Sequence, residues 1–219
     1  MKINFIIYYI ILFIAFLLSV IRIKHDKKLL VFSIMLACTL FQEILGGYLE
    51  FKKAGNHIFF IYHIFAPVYY GLFACYFSSA MPYGRARSLL RLSIPLFAAL
   101  SICISFWQGS VESFPGIQLN IMSILLIAGS MTVLFQLDVR DKMPLFHRPI
   151  FWISISTMFF YAALFSLDGF VNYLSAHDPK LGNDLTVFLN INLNYLYYLL
   201  IIIGMLCSKP RMKYSLPSY

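Results

Sequence analysis

Seven stretches of the chain are apolar almost throughout: residues 4–21, 29–49, 58–80, 91–107, 117–137, 149–172 and 185–207. Each approaches the roughly 20 residues that a helix needs to cross the hydrocarbon core of a bilayer. The pattern predicts an all-α membrane protein: one seven-helix transmembrane bundle over residues 1–207, then a short basic tail, 208–219. The fourth stretch is the shortest and holds Pro95 and several serines, whereas the sixth is long enough to tilt or project. Pro149 suits the first turn of a helix, where no hydrogen bond is lost. Pro210 follows the seventh stretch, and Pro67 lies inside the third, where a kink is expected. No connection is long enough to fold as a domain of its own, and the two halves show no repeat.

Composition supports lipid as the solvent. The chain has 219 residues, 61% hydrophobic and 12% charged, against about 25% charged in a typical soluble domain. In water such a chain would present large apolar patches and aggregate. The net charge of +8 comes without a basic stripe or recognition motif, so nucleic acid is not an expected partner. Cys38, Cys75, Cys103 and Cys207 lie in or at the end of apolar runs without zinc spacing, and read as small packing residues. Most Tyr and Phe are expected to face lipid or to form interfacial belts.

The placement of charge sets the orientation. Arg22, Lys24, Lys27 and Lys28 follow the first stretch directly, and no small-x-small cleavage site is present, so it reads as an uncleaved helix. Arg85, Arg87 and Arg91, then Arg140, Lys142 and Arg148, then Lys209, Arg211 and Lys213 fall on the same side. Of the 17 lysines and arginines, only Lys2, Lys52, Lys53 and Lys180 fall on the other. The positive-inside rule then predicts an outside N-terminus and a cytoplasmic C-terminus. Omitting the fourth helix would abolish this asymmetry, which supports seven.

Polar residues inside the spans collect on particular faces. Thr39, Glu43, Gly46 and Glu50 share one face of the second helix. Asn56, His63, Pro67 and Tyr70 share one of the third; Ser154, Tyr161 and Asp168 recur at seven-residue steps in the sixth; Asn190, Asn194 and Tyr197 align in the seventh. Counted from the outer helix ends, Glu43 and His63 lie roughly 8–9 Å deep, Asp168 and Asn190 about 5–6 Å, and Asn194 about 12 Å. Tyr8, Tyr9, Gln118 and Asn120 also fall in the outer half, whereas the inner half is nearly all apolar. Ionisable groups within spans are costly and often functional. Thr39, Glu43, His63, Tyr161, Asp168, Asn190 and Asn194 are therefore the expected lining of an outward ligand pocket, with helices 2, 3, 6 and 7 as mutual neighbours. Glu43 and His63 lie symmetrically about the turn between helices 2 and 3 and are expected to pair, to sense pH or hold a ligand amine. The plainer reading, polar groups that only hold helices together, applies most to Thr39, Ser154, Asn190 and Asn194.

Other chemistries lack their residues. No lysine lies inside a span to carry retinal. His63 is the one histidine within a span, with His57 at its mouth, too few for an expected metal centre. No G-x-S-x-G, H-E-x-x-H or P-loop occurs. Asp138-Val-Arg-Asp141 reads as a solvated helix end rather than a diphosphate site. No catalytic set and no cofactor are expected.

Asn56-His57 leading into Ile61-Tyr62-His63-Ile64-Phe65 and Pro67 resembles the third helix of seven-helix membrane proteins of Bacteroidota. So do Pro149-Ile150-Phe151-Trp152-Ile153-Ser154 and the later Asn190 and Asn194 before a Tyr-rich run. Those proteins are similar to the membrane sensor part of some bacterial histidine kinases. The resemblance implies signalling links, and an output that passes through a cytoplasmic or membrane partner. The leading expectation is a receptor-like sensory module in contact with lipid, binding a small ligand from outside. A small proton-coupled transporter and an intramembrane enzyme acting on lipid are the alternatives.

Overall fold

The computed structural model describes residues 3–52, 58–107, 113–137, 144–177 and 179–207. Among them every regular element is helical: α1 (Ile3–Arg22), α2 (Leu29–Phe51), α3 (Ile58–Ala80), α4 (Arg85–Trp107), α5 (Gly116–Gln136), α6 (Pro149–His177) and α7 (Pro179–Cys207), with a short 3-10 turn, Leu145–His147, before α6. All seven helices hold a stretch long and apolar enough to span a membrane. Their outer faces carry large exposed side chains such as Ile10, Phe41, Leu96, Phe135 and Phe159, a surface that only lipid accommodates.

Three boundaries differ from the apolar pattern. α4 begins at Arg85, six residues before the apolar run, and carries its basic residues in its first turns. There the Arg87 guanidinium covers the Tyr83 ring at 4.1 Å. α6 and α7 reach toward each other until only position 178 separates them. No proline or glycine breaks residues 173–177, and Pro179 opens α7 at the position where proline is best tolerated. With 29 residues each, they are about 43 Å long at 1.5 Å per residue, well beyond the roughly 30 Å core of a bilayer. α3 runs on through Pro67 as a single helix.

Six helices form a closed ring in the order α1, α2, α3, α5, α6, α7, with α7 back against α1. α4 stands outside, packed on α3 and α5. The expected mutual contact of helices 2, 3, 6 and 7 is thus corrected: α2–α3 and α6–α7 are two adjacent pairs, separated by α1 on one side and α5 on the other. α5 can enter the ring because it presents small residues inward: buried Ser123, Gly129 and Ser130. A side chain at Gly129 would meet the Phe77 ring at 3.5 Å.

The core is more aromatic than expected for belt and lipid-facing rings. Tyr8, Tyr70, Tyr76, Tyr161, Tyr197 and Tyr198 are buried, as are Phe32, Phe73, Phe77 and Phe97. Rings suit an interior that must be filled without a hydrophobic drive between helices, because they gain contact energy from geometry as well as area. Phe32 packs on Tyr76 at 5.2 Å, and Tyr70 on Phe97 at 4.8 Å. Buried hydroxyls mostly bond to their own helix, as Thr39 to the Met35 carbonyl (3.0 Å) and Ser130 to that of Leu126 (2.7 Å). Others cross between helices: the Ser33 hydroxyl donates to Ser19 Oγ at 2.9 Å, joining α1 to α2.

Candidate functional site

The ring encloses a cavity of about 380 Å³ in the half of the bundle near the α2–α3 and α6–α7 connections. All six ring helices contribute to its wall, and α4 contributes nothing. α7 supplies Thr186, Asn190, Asn194 and Tyr198, a row at four-residue spacing that keeps one helix face turned inward. The Asn194 amide donates to both the carbonyl (2.9 Å) and the side-chain oxygen (3.0 Å) of Asn190, so the two amides act as one polar strip. Thr39, Gln42 and Glu43 of α2 stand across the cavity, and Tyr8 of α1 joins them. Tyr8, Glu43 and Tyr198 share this part of the wall, with the Tyr8 and Tyr198 rings 5.9 Å apart. Tyr9 fixes the same turn of α2 through the Glu43 backbone carbonyl, at 3.4 Å.

Below the cavity the helices meet in a layer of rings. Tyr69 of α3 lies beside Tyr161 of α6 at 6.5 Å and Phe73 at 5.1 Å. Phe160 stacks on Tyr197 at 4.6 Å, and Tyr197 meets Tyr198 edge-on at 4.8 Å. The cavity is therefore polar on its α2 and α7 walls and floored by aromatic side chains.

Of the residues the sequence nominates, Thr39, Glu43, Tyr161, Asn190 and Asn194 share this cavity. Asp168 falls within α6, and its side chain lies outside the described residues, as does that of Glu50; Asn56 and His57 lie outside them entirely. His63 is buried but is not part of the cavity wall. Its Nδ1 lies 2.8 Å from Ser105 Oγ of α4, and its Nε2 lies 3.0 Å from the Ser113 carbonyl ahead of α5. A carbonyl only accepts, so Nε2 carries the hydrogen. The expected pairing of His63 with Glu43 is thereby corrected, because both ring nitrogens are engaged on the far side of α3. Tyr70 follows the same rule, with its phenol against Ser93 of α4. The polar face of α3 thus holds α4 on the ring, and the face one residue round (Tyr62, Phe65, Ala66, Tyr69) lines the cavity.

Gln42, Tyr62, Ser123, Thr186 and Tyr198 are lining residues that the sequence reading passes over. The four-residue row on α7 was the available signal for Thr186 and Tyr198. Among the described residues no three His, Cys, Asp or Glu side chains come together as a metal would require. No protein-family model, curated protein or solved structure matches the chain.

Proposed function

We propose that this protein is a receptor-like membrane module that binds a small ligand in the ring cavity, with the cavity facing the outside of a bacterial plasma membrane. The observation that carries the reading is a cavity with converging polar groups from α1, α2 and α7 above an aromatic floor. Its volume of about 380 Å³ falls in the range of small-molecule sites. The orientation follows the loop charges: among the described residues Lys52 stands at the end nearer the cavity, and Arg22, Lys24, Lys27, Lys28, Arg85, Arg87 and Arg148 stand at the opposite end. Ligand binding acts by favouring one arrangement of the ring helices over another, and the output passes to a partner in the membrane or cytoplasm. α7 is suited to that task, since it bears the polar row at one end and contacts α1 and α6 along its length.

The test is chemical access. In a chain freed of Cys38, Cys75, Cys103 and Cys207, cysteine at Asn194 is expected to react with a membrane-impermeant reagent from the outside of intact cells. Cysteine at Ser130, buried in α5, is the negative control. Labelling of Asn194→Cys only in inverted vesicles would reverse the orientation, and no labelling from either side would remove the cavity as a binding site.

A further inference from the structure

Resting on that reading, the cavity also points to the class of ligand. Glu43 is the only acidic residue on the described wall, and no lysine, arginine or histidine lines it. The histidine that the sequence offered as its partner is held elsewhere by Ser105 and Ser113. A half-buried carboxylate is stabilised by a partner charge or by several hydrogen-bond donors. Tyr8 of α1 stands on the wall with it, and Thr39 and Gln42 are its polar neighbours on α2. Five tyrosines line the cavity: Tyr8, Tyr62, Tyr69, Tyr161 and Tyr198. Their π faces attract a cation, most strongly where water is excluded. Tyr8 and Tyr198 sit 5.9 Å apart, centroid to centroid, next to the carboxylate. The linked amides of Asn190 and Asn194 provide a polar anchor on the opposite wall.

We infer that the cavity takes a small organic cation, an alkylated or quaternary amine whose charged head sits between Glu43 and the tyrosine rings. Such a ligand supplies a counter-charge that the described wall lacks and presents apolar surface to the aromatic floor. Among the described residues of the wall, an anionic ligand meets no cation, and an inorganic cation meets one carboxylate where several oxygen ligands are needed.

Purified protein in detergent is titrated calorimetrically with choline and benzyltrimethylammonium, and with their neutral carbon isosteres, 3,3-dimethylbutanol and neopentylbenzene. The cations are expected to bind at least about tenfold more tightly than the isosteres. Glu43→Gln, which keeps shape and hydrogen-bonding capacity, is expected to lose that preference while its thermal unfolding stays close to the parent. Tyr8→Phe keeps the ring and is expected to hold cation affinity within about threefold, whereas Tyr8→Leu loses about tenfold. Equal binding of cations and isosteres, or a Glu43→Gln variant that still prefers cations, overturns the cation assignment and leaves a ligand cavity standing. Absence of binding by every probe also overturns it. If Asn194→Cys is then unreactive as well, the receptor reading falls with it.

Discussion

At the residue scale, Glu43 and His63 show how burial alone fails to define a site. Both are ionisable and both are within spans, yet one faces the cavity and the other ties three elements together. Gln118 reinforces the tie by donating to the His63 carbonyl at 3.2 Å. His63→Ala is expected to lower stability by about 1–3 kcal/mol, the range for removing one partner of buried hydrogen bonds. It should leave benzyltrimethylammonium affinity within about twofold, since His63 does not reach the cavity. A thermal-unfolding series in detergent run beside the titration separates the two effects. A tenfold loss of affinity without loss of stability would place His63 in the binding machinery after all. The sequence could not separate these roles, because α3 has polar groups on two faces about 100° apart: His63 and Tyr70 on one, Tyr62 and Tyr69 on the other. The clue lay on α4, where Ser93, Ser101 and Ser105 form a stripe on one face that a polar neighbour can share.

At the element scale, hydropathy located every helix, since no other segment of the chain can remain in lipid. It placed the ends of α4, α6 and α7 too short, because their interfacial turns are polar yet still helical. The polar rows of α2 and α7 were legible through their spacing on one face, whereas the seating of α6 against α7 was not. That contact depends on Gly204, where an added Cβ would stand 2.5 Å from Trp152 Cβ and 3.0 Å from Cγ. Trp152 is itself held by donation from its indole nitrogen to the Phe146 carbonyl at 2.9 Å. Gly204→Ala is therefore expected to destabilise by about 1–3 kcal/mol, the usual range for overpacking a tight contact. Trp152→Ala should fail to rescue it, because the nearest atom is the β-carbon that alanine retains. Thermal unfolding of the single and double variants checks this, and an unchanged midpoint for Gly204→Ala would show that the two helices can separate freely.

At the scale of the whole molecule, the order of helices around the ring was not legible. Spans of similar hydropathy carry little information about which neighbours they choose, and small residues such as Gly129 act only through three-dimensional fit. The seam between α1 and α7 has a consequence for how the protein is made. It joins α1, the first helix of the ring in chain order, to α7, the last, through contacts such as the Tyr195 hydroxyl donating to the Asn4 carbonyl. Ring closure must wait until α7 has left the ribosome, so until then Glu43 and Tyr8 border an open cleft facing the membrane. A nascent or prematurely ended chain thus displays a polar groove to lipid, a feature that membrane proteases can recognise. A version stopped at Lys180 is expected to be cleared several-fold faster than the full chain in pulse-chase measurement, and an equal lifetime would show that the first six helices are stable without the seventh. The same groove that becomes a binding cavity in the finished bundle would serve, before completion, as its mark of immaturity.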